Sequence, residues 1–277
     1  MTAKNKSIYT MVYNHPKITS LKGRYKDNDS TKDFRDQIRS NTSWRFDVTD
    51  DPSFYCHLKG MGPLTWGICR PDVRTKLEKG DIVVFICYDE DNNNYYLSAV
   101  TTVADKIRQT DIWTKNKYCH FKEHFNLIIK KTESGNWYHE EPLPNEKNLH
   151  SNWDIKILKK IPKSEFTFSN NTISPAYEIE PNYIIFSTSE DKTYILKNQI
   201  ILAEYKKDTD KKKEIWLDSN ESIKIFDFIF KRHPSRISFK VHERNQSHVK
   251  VRTTLSEENI IKWRSDFIGY LRSIDNN

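Results

Sequence analysis

Apolar residues recur along this chain with two periods, and the longest runs carry the period of strands. "SIYTMVYN" (7–14) comes first and is stopped by Pro16, which predicts an opening strand. "DIVVFICY" (81–88) is apolar almost without interruption, as a strand covered on both faces would be. The "NNN" at 92–94 predicts a turn, with "YYLSAVTTVADKI" returning as an antiparallel partner. Further strands are expected at "FYCHL" (54–58), "FNLIIK" (125–130), "NYIIFST" (182–188) and "TYILKNQIILAEY" (193–205).

The helical period is confined to short or late segments. One short helix is expected around Lys32–Arg39, and another after Pro71, which suits the first helical position. Asp72 and Lys79 match the dipole of that second helix, and Gly80 supplies a left-handed stop. "SNESIKIFDFIFKR" reads as an amphipathic helix. A last helix starts at "TLSE", where Thr254 and Glu257 have capping-box spacing, and buries Ile260, Trp263, Phe267, Leu271 and Ile274. Between these two helices, "RISFKVH" and "HVKVRT" alternate with period two and predict a hairpin turning at "ERNQS". One face carries Ile237, Phe239, Val241, Val249 and Val251. The other carries Arg236, Lys240, His242, His248, Lys250 and Arg252.

No βαβ alternation and no internal repeat occur. The pattern predicts an α+β, mainly β protein: an antiparallel sheet curled into a barrel, with short helices at its rim. The charge run "KKDTDKKKE" (206–214) is the expected linker. It divides a sheet domain, residues 1–205, from a helix–hairpin–helix extension, residues 206–277.

Composition narrows the function. Charged residues reach 30%, yet aromatics at 13% can still fill a core, which argues against general disorder. No run is long enough to span a bilayer, and "MTAKNKSIYTMVY" has no signal-peptide core. Four scattered cysteines among mostly apolar neighbours suit reduced thiols, so a cytoplasmic location is expected. A net charge of +7 is compatible with a polyanionic partner. Two Cys-His pairs, Cys56-His57 and Cys119-His120, invite a metal reading. Neighbours on a strand point to opposite faces, so each pair offers one ligand easily, and no metal site is expected. "YHEE" (138–141) with His150 and Asp154 lacks both metal-motif spacing and a nucleophile beside a base. With seven glycines and no Gly-rich phosphate loop, no catalytic residue and no cofactor are expected.

The order strand, W-G-I-C-R-P, short helix, G-D, buried strand, turn, strand resembles the PUA-like superfamily, whose EVE and YTH branches read modified bases. Trp66, Gly67, Ile68 and Arg70 followed by Gly80-Asp81 resemble the EVE hallmark. Cys69, Arg70, Pro71, Val73, Arg74, Gly80 and Asp81 resemble the mark of the nucleotide-modification-associated domain family more closely. His150-Ser151 and "NYIIFST" continue that likeness, over residues 7 to 205. The resemblance implies non-catalytic recognition of nucleic acid, DNA rather than RNA, with a modified base flipped into an aromatic pocket. A nuclease or modification enzyme is the partner such a reader would serve.

The implied pocket residues are Asn14, His15, Trp66, Cys69, Arg70, Trp113, His150 and Trp153. Trp66 is equally consistent with a core position beneath the sheet. The cationic hairpin face, Arg236, Lys240, His242, Lys250 and Arg252, is the expected phosphate clamp, or else an edge made soluble by charge. Two rival readings remain: an enzyme of base or nucleotide modification on the same fold, and a protein-interaction module with incidental basicity.

Overall fold

The structure, a computed structural model, describes residues 5–15, 52–58, 60–67, 76–89, 94–124, 126–127, 129–131, 137–139, 157–158, 181, 183–207, 212–216, 219–230 and 248–275. The expected helix at 32–39, residues 71–75 of the helix expected after Pro71 and most of the hairpin up to 247 lie outside them; residues 76–79, the expected end of that second helix, form turn and loop rather than helix.

The architecture is α+β and mainly β. Its centre is β3 (Ile82–Asp89), which pairs antiparallel with β4 (Asn94–Ile107) and parallel with β1 (Lys6–His15). Outward from β4 lie β9 (Tyr194–Lys207) and β10 (Lys212–Trp216); outward from β1 lies β11 (His248–Leu255). Two further strands, β2 (Thr65–Trp66) and β8 (Tyr183–Phe186), pair with each other, and β8 continues onto β4. A separate small sheet joins β5 (Ile129–Lys131), β6 (Trp137–His139) and β7 (Ile157–Leu158).

Alternation along β3 explains its unbroken apolar run. Ile82, Val84 and Ile86 enter one core, with Ile8, Leu97, Leu202 and the helices α3 (Asn220–Phe230) and α4 (Glu257–Asp275). Val83, Phe85 and Cys87 enter a second core on the opposite face, with Tyr13, Trp66, Ile184 and Phe186. Burial on both faces is what removes the polar positions.

Four expectations are corrected. The barrel is an open sheet: β10 and β11 end the strand order and do not pair. Helices on one face and β2, β8 and the segment Phe54–Leu58 on the other bury the apolar sides without closure. "FYCHL" is a short helix, α1 (Phe54–Leu58), because Ser53 and Pro52 start a turn there and His57 N–H donates to the Ser53 carbonyl at 3.2 Å. Within 125–130, Asn126 and Leu127 form no strand, and β5 begins only at Ile129. The last helix is capped by Ser256 rather than Thr254: Thr254 still belongs to β11, and the Asn259 N–H reaches the Ser256 Oγ at 3.4 Å.

The segment after 205 joins the same sheet. β9 runs to Lys207 and turns back into β10 with Lys207 opposite Lys212. β11 pairs antiparallel with β1, and Ile225, Phe267 and Leu271 share a core with Ile8 and Ile82. No helix among the described residues is long and apolar enough to cross a membrane.

The Gly80-Asp81 corner locks β1, β3 and β4 together. Gly80 N–H donates to the Val103 carbonyl and Val103 N–H to the Asp81 carbonyl, both at 2.8 Å. The buried Asp81 carboxylate accepts the Ser7 N–H at 2.9 Å and the Glu78 N–H at 2.8 Å. Burial raises the Asp81 pKa, and those two N–H donors oppose the rise. Gly80 has φ of 90°, the left-handed backbone expected of it. Gly80→Ala should therefore lower stability by on the order of 1–2 kcal/mol in chemical denaturation, from the backbone alone. An unchanged midpoint would show that the corner tolerates a side chain.

Candidate functional site

The two residues of β2 face opposite ways, and this divides the region around the W-G motif. Trp66 is 0% exposed and packs edge-on to Phe85 at 6.1 Å, in the core with Phe186. No base can reach it there, so the pocket role expected of Trp66 is corrected to its alternative, a core role. Thr65 points the other way, into a buried polar cluster with Ser53, His124, Asn126 and Tyr183.

The hydrogens of this cluster can be assigned. Met61 O can only accept, so at 2.9 Å the His124 Nε2 carries the hydrogen, leaving Nδ1 as an acceptor. Thr65 Oγ1 then donates to His124 Nδ1 at 3.1 Å and accepts from Asn126 Nδ2 at 3.1 Å and Ser53 Oγ at 2.6 Å. Tyr183 OH donates to Asn126 Oδ1 at 2.8 Å, and the Thr65 N–H donates to Ser53 Oγ at 3.0 Å. Every one of these side chains is fully buried. Burial pushes the His124 pKa down to about 4, with His120 and His57 adding repulsion against a charged ring. A neutral imidazole beside a hydroxyl is a familiar base–nucleophile pair. Here the hydroxyl already receives two hydrogen bonds and neither group meets solvent, so the pair fixes shape.

What the network shapes is the exit of the chain after Trp66. A Cβ at Gly67 would stand 2.5 Å from the Tyr183 ring and 3.0 Å from the Asn126 carbonyl oxygen. Only glycine allows that approach. The Gly67 carbonyl accepts from Gln109 Nε2 at 3.3 Å. Gln109 opens α2 (Gln109–Thr114), so Trp113, four residues on, lies on the same helix face one turn away. Trp113 is half-buried against the cluster that contains Ile112, Phe121 and Tyr183, and the Lys122 ammonium lies 5.2 Å from its ring centroid. Lys122 comes from the 3-10 helix (Asn116–Glu123) that follows. The Asp111 carboxylate faces Lys115 at 3.3 Å and Arg108 at 3.8 Å, which ties down the cations at each end of α2.

The other expected site residues are placed as follows. Asn14 and His15 end β1, opposite Tyr88 and Asp89 of β3. Lys250 and Arg252 stand in β11, the edge strand beside β1. Cys69, Arg70, His150, Trp153, Arg236, Lys240 and His242 lie outside the described residues. Of the Cys-His pairs, Cys56 is buried and Cys119 exposed. Among the described residues no group of three or more His, Cys, Asp or Glu could hold a metal. Reading the sequence missed Ser53, Thr65, Gln109, His124, Asn126 and Tyr183, which come from five unrelated segments, with only His124 and Asn126 near each other in sequence. The one available signal was Thr65 beside Trp66 on a two-residue strand. No protein-family model matches this chain, and no curated protein or solved structure matches it.

Because His124 is neutral when folded, its contribution to stability is complete above its unfolded pKa of 6.5. It is lost as pH falls toward about 4. On the order of 2 kcal/mol should vanish between pH 7 and pH 5. Urea titrations across that interval should show the slope in the native protein and its absence in His124→Gln. Parallel curves would mean that His124 charges without penalty.

Proposed function

We propose that this chain is a PUA-like, non-catalytic reader of nucleic acid carrying a modified base, DNA rather than RNA, acting in the cytoplasm. The observation that carries the reading is the position of Trp113. A half-buried indole stands one helical turn from Gln109, whose side chain holds the Gly67 carbonyl, with a lysine over its ring. Base stacking needs such a platform, an aromatic face that is held from behind and bordered by positive charge. Trp113 takes the stacking role, and Trp66 supports the wall from within the core.

The phosphate-gripping part of the reading rests on Lys250 and Arg252 in an edge strand, with Arg236, Lys240 and His242 completing the cationic set in sequence. Long cationic side chains suit backbone contact without sequence discrimination. A nuclease or modification enzyme would act on what the chain has bound.

Binding to matched oligonucleotides with methylated, hydroxymethylated, glucosylated and plain bases tests the reading, followed by mass spectrometry for turnover. A reader binds one modified form in preference to the plain form and leaves it intact. Trp113→Ala should lose about 1–3 kcal/mol of that binding while its melting temperature stays close to the parent's. Trp66→Ala should do the reverse, with a large loss of stability and unaltered affinity per folded molecule. Absence of any oligonucleotide binding would leave the interaction-module reading, and a changed substrate mass the enzyme reading.

Replacing Lys240, Lys250 and Arg252 together by Gln should weaken binding to modified and plain DNA by similar factors. The slope of log K against log salt should shrink by nearly three units, at about 0.9 per lost contact. A triple variant with the parent's slope would remove the clamp from the reading.

A further inference from the structure

On the far side of the sheet, α4 presents an arginine where its neighbours are apolar. Arg264 is four residues from both Ile260 and Ile268, so it shares the buried stripe of the helix and lies against β4. Its Nη1 reaches the Thr102 Oγ1 at 3.4 Å, a long contact. Its Nε is buried and, among the described residues, has no acceptor. No ion pair among the described residues neutralises it, although Asp191 acts on it through space. Burial pulls its pKa down, and the negative charge of Asp191 opposes that shift.

The surroundings are rich in hydroxyls. Thr102 Oγ1 donates to the Lys192 carbonyl at 2.7 Å, which places the loop 187–193 beside the guanidinium. The next residue, Thr193, holds a buried Oγ1 that also has no partner among the described residues. The Asp191 carboxylate accepts a hydrogen bond from the Ser189 hydroxyl and acts on Arg264 through space only. The loop is held in place from its other side, where Arg272 donates to the Glu190 carbonyl at 2.7 Å. A half-buried guanidinium costs free energy unless its donors are satisfied by an anion. Nε and Nη form a fork that fits two oxygens of a tetrahedral oxyanion, and a threonine hydroxyl can supply a further donor.

We propose that Arg264, with Thr193, forms a phosphate-binding site between α4 and the loop 187–193. The site goes beyond the base-reading function and would stand if that reading failed. Its phosphate comes either from a nucleic-acid backbone or from a small free phosphate.

Thermal unfolding of the full chain in rising inorganic phosphate, against sodium chloride of equal ionic strength, is the first measurement. The melting temperature should climb with the logarithm of phosphate concentration and stay flat in chloride. Arg264→Gln should weaken phosphate binding tenfold or more. Lys262→Gln, which removes an equal charge from an exposed position of the same helix, should leave it unchanged. Arg264→Met should melt no lower than the native protein without phosphate and should lose the phosphate response. It thereby separates binding from folding should the Gln variant fold poorly. Oligonucleotide affinity of Arg264→Met then names the source: a parallel loss assigns a backbone phosphate, and unchanged affinity a small free one. Equal melting shifts in phosphate and chloride, or equal losses in Arg264→Gln and Lys262→Gln, would overturn the site.

Discussion

The parallel pairing of β1 with β3 is the constraint on which the rest of the molecule depends. A parallel pair has no hairpin to set its register, and a slip of one residue would exchange every side chain between the two faces. Here the Asp81 carboxylate performs the task of a hairpin. One oxygen takes the N–H of Ser7 at the start of β1, and the other takes the N–H of Glu78 in the preceding turn. With Ser7 fixed, Ile8 falls opposite Ile82 and Tyr9 opposite Val83, and the two cores separate cleanly. Lys6 reinforces the corner by donating to the Lys79 carbonyl at 2.6 Å.

From that register follows the placement of the candidate site. Besides β3, β4 is long enough to serve two further partners. Its first half pairs with β9, and beyond the irregularity at Val103 its second half pairs with β8. β8 in turn carries β2, so Trp66 is delivered to the core that Phe85 already occupies, while Thr65 is delivered to Tyr183, Asn126 and His124. One strand of two residues thus joins the aromatic interior to the polar seam. The glycine after it is required by the Tyr183 ring, an account of the W-G pair that needs nothing beyond packing.

Much of the sheet was legible because its signal is local. The apolar run of β3, the return through β4, and the strands near 183 and 194 follow from period and turn residues alone. The amphipathic stripes of α3 and α4 follow equally. Gly80 announced its positive φ as a glycine placed to stop a helical segment. What stayed hidden depends on partners distant in sequence. "FYCHL" alternates like a strand, but among the described residues no strand pairs with it, and Phe54 instead stacks on Tyr13 at 5.8 Å. The open form of the sheet depends on where α3 and α4 dock. The buried hydroxyl, imidazole and amide groups come from four separate segments, and no spacing rule links residue 65 to residues 124 and 183. Arg264 is set apart from the other cations of α4 only by its neighbours one turn away on either side, Ile260 and Ile268, which are buried.

The pairing of β1 with β11 has a consequence for how this protein comes into being. β1 can dock on β3 as soon as the first ninety or so residues exist, but its other edge stays bare until residue 248 has been made. At ribosomal rates of about 5–20 residues per second that is a wait on the order of ten seconds or more. Throughout it a nascent chain displays an unpaired strand edge beside apolar side chains whose covering helix, α4, has yet to be synthesised. Such an edge invites pairing with any extended segment nearby. Successful production of the protein should therefore depend less on its final stability than on what shields β1 during translation, and on how quickly the last thirty residues return to the first fifteen.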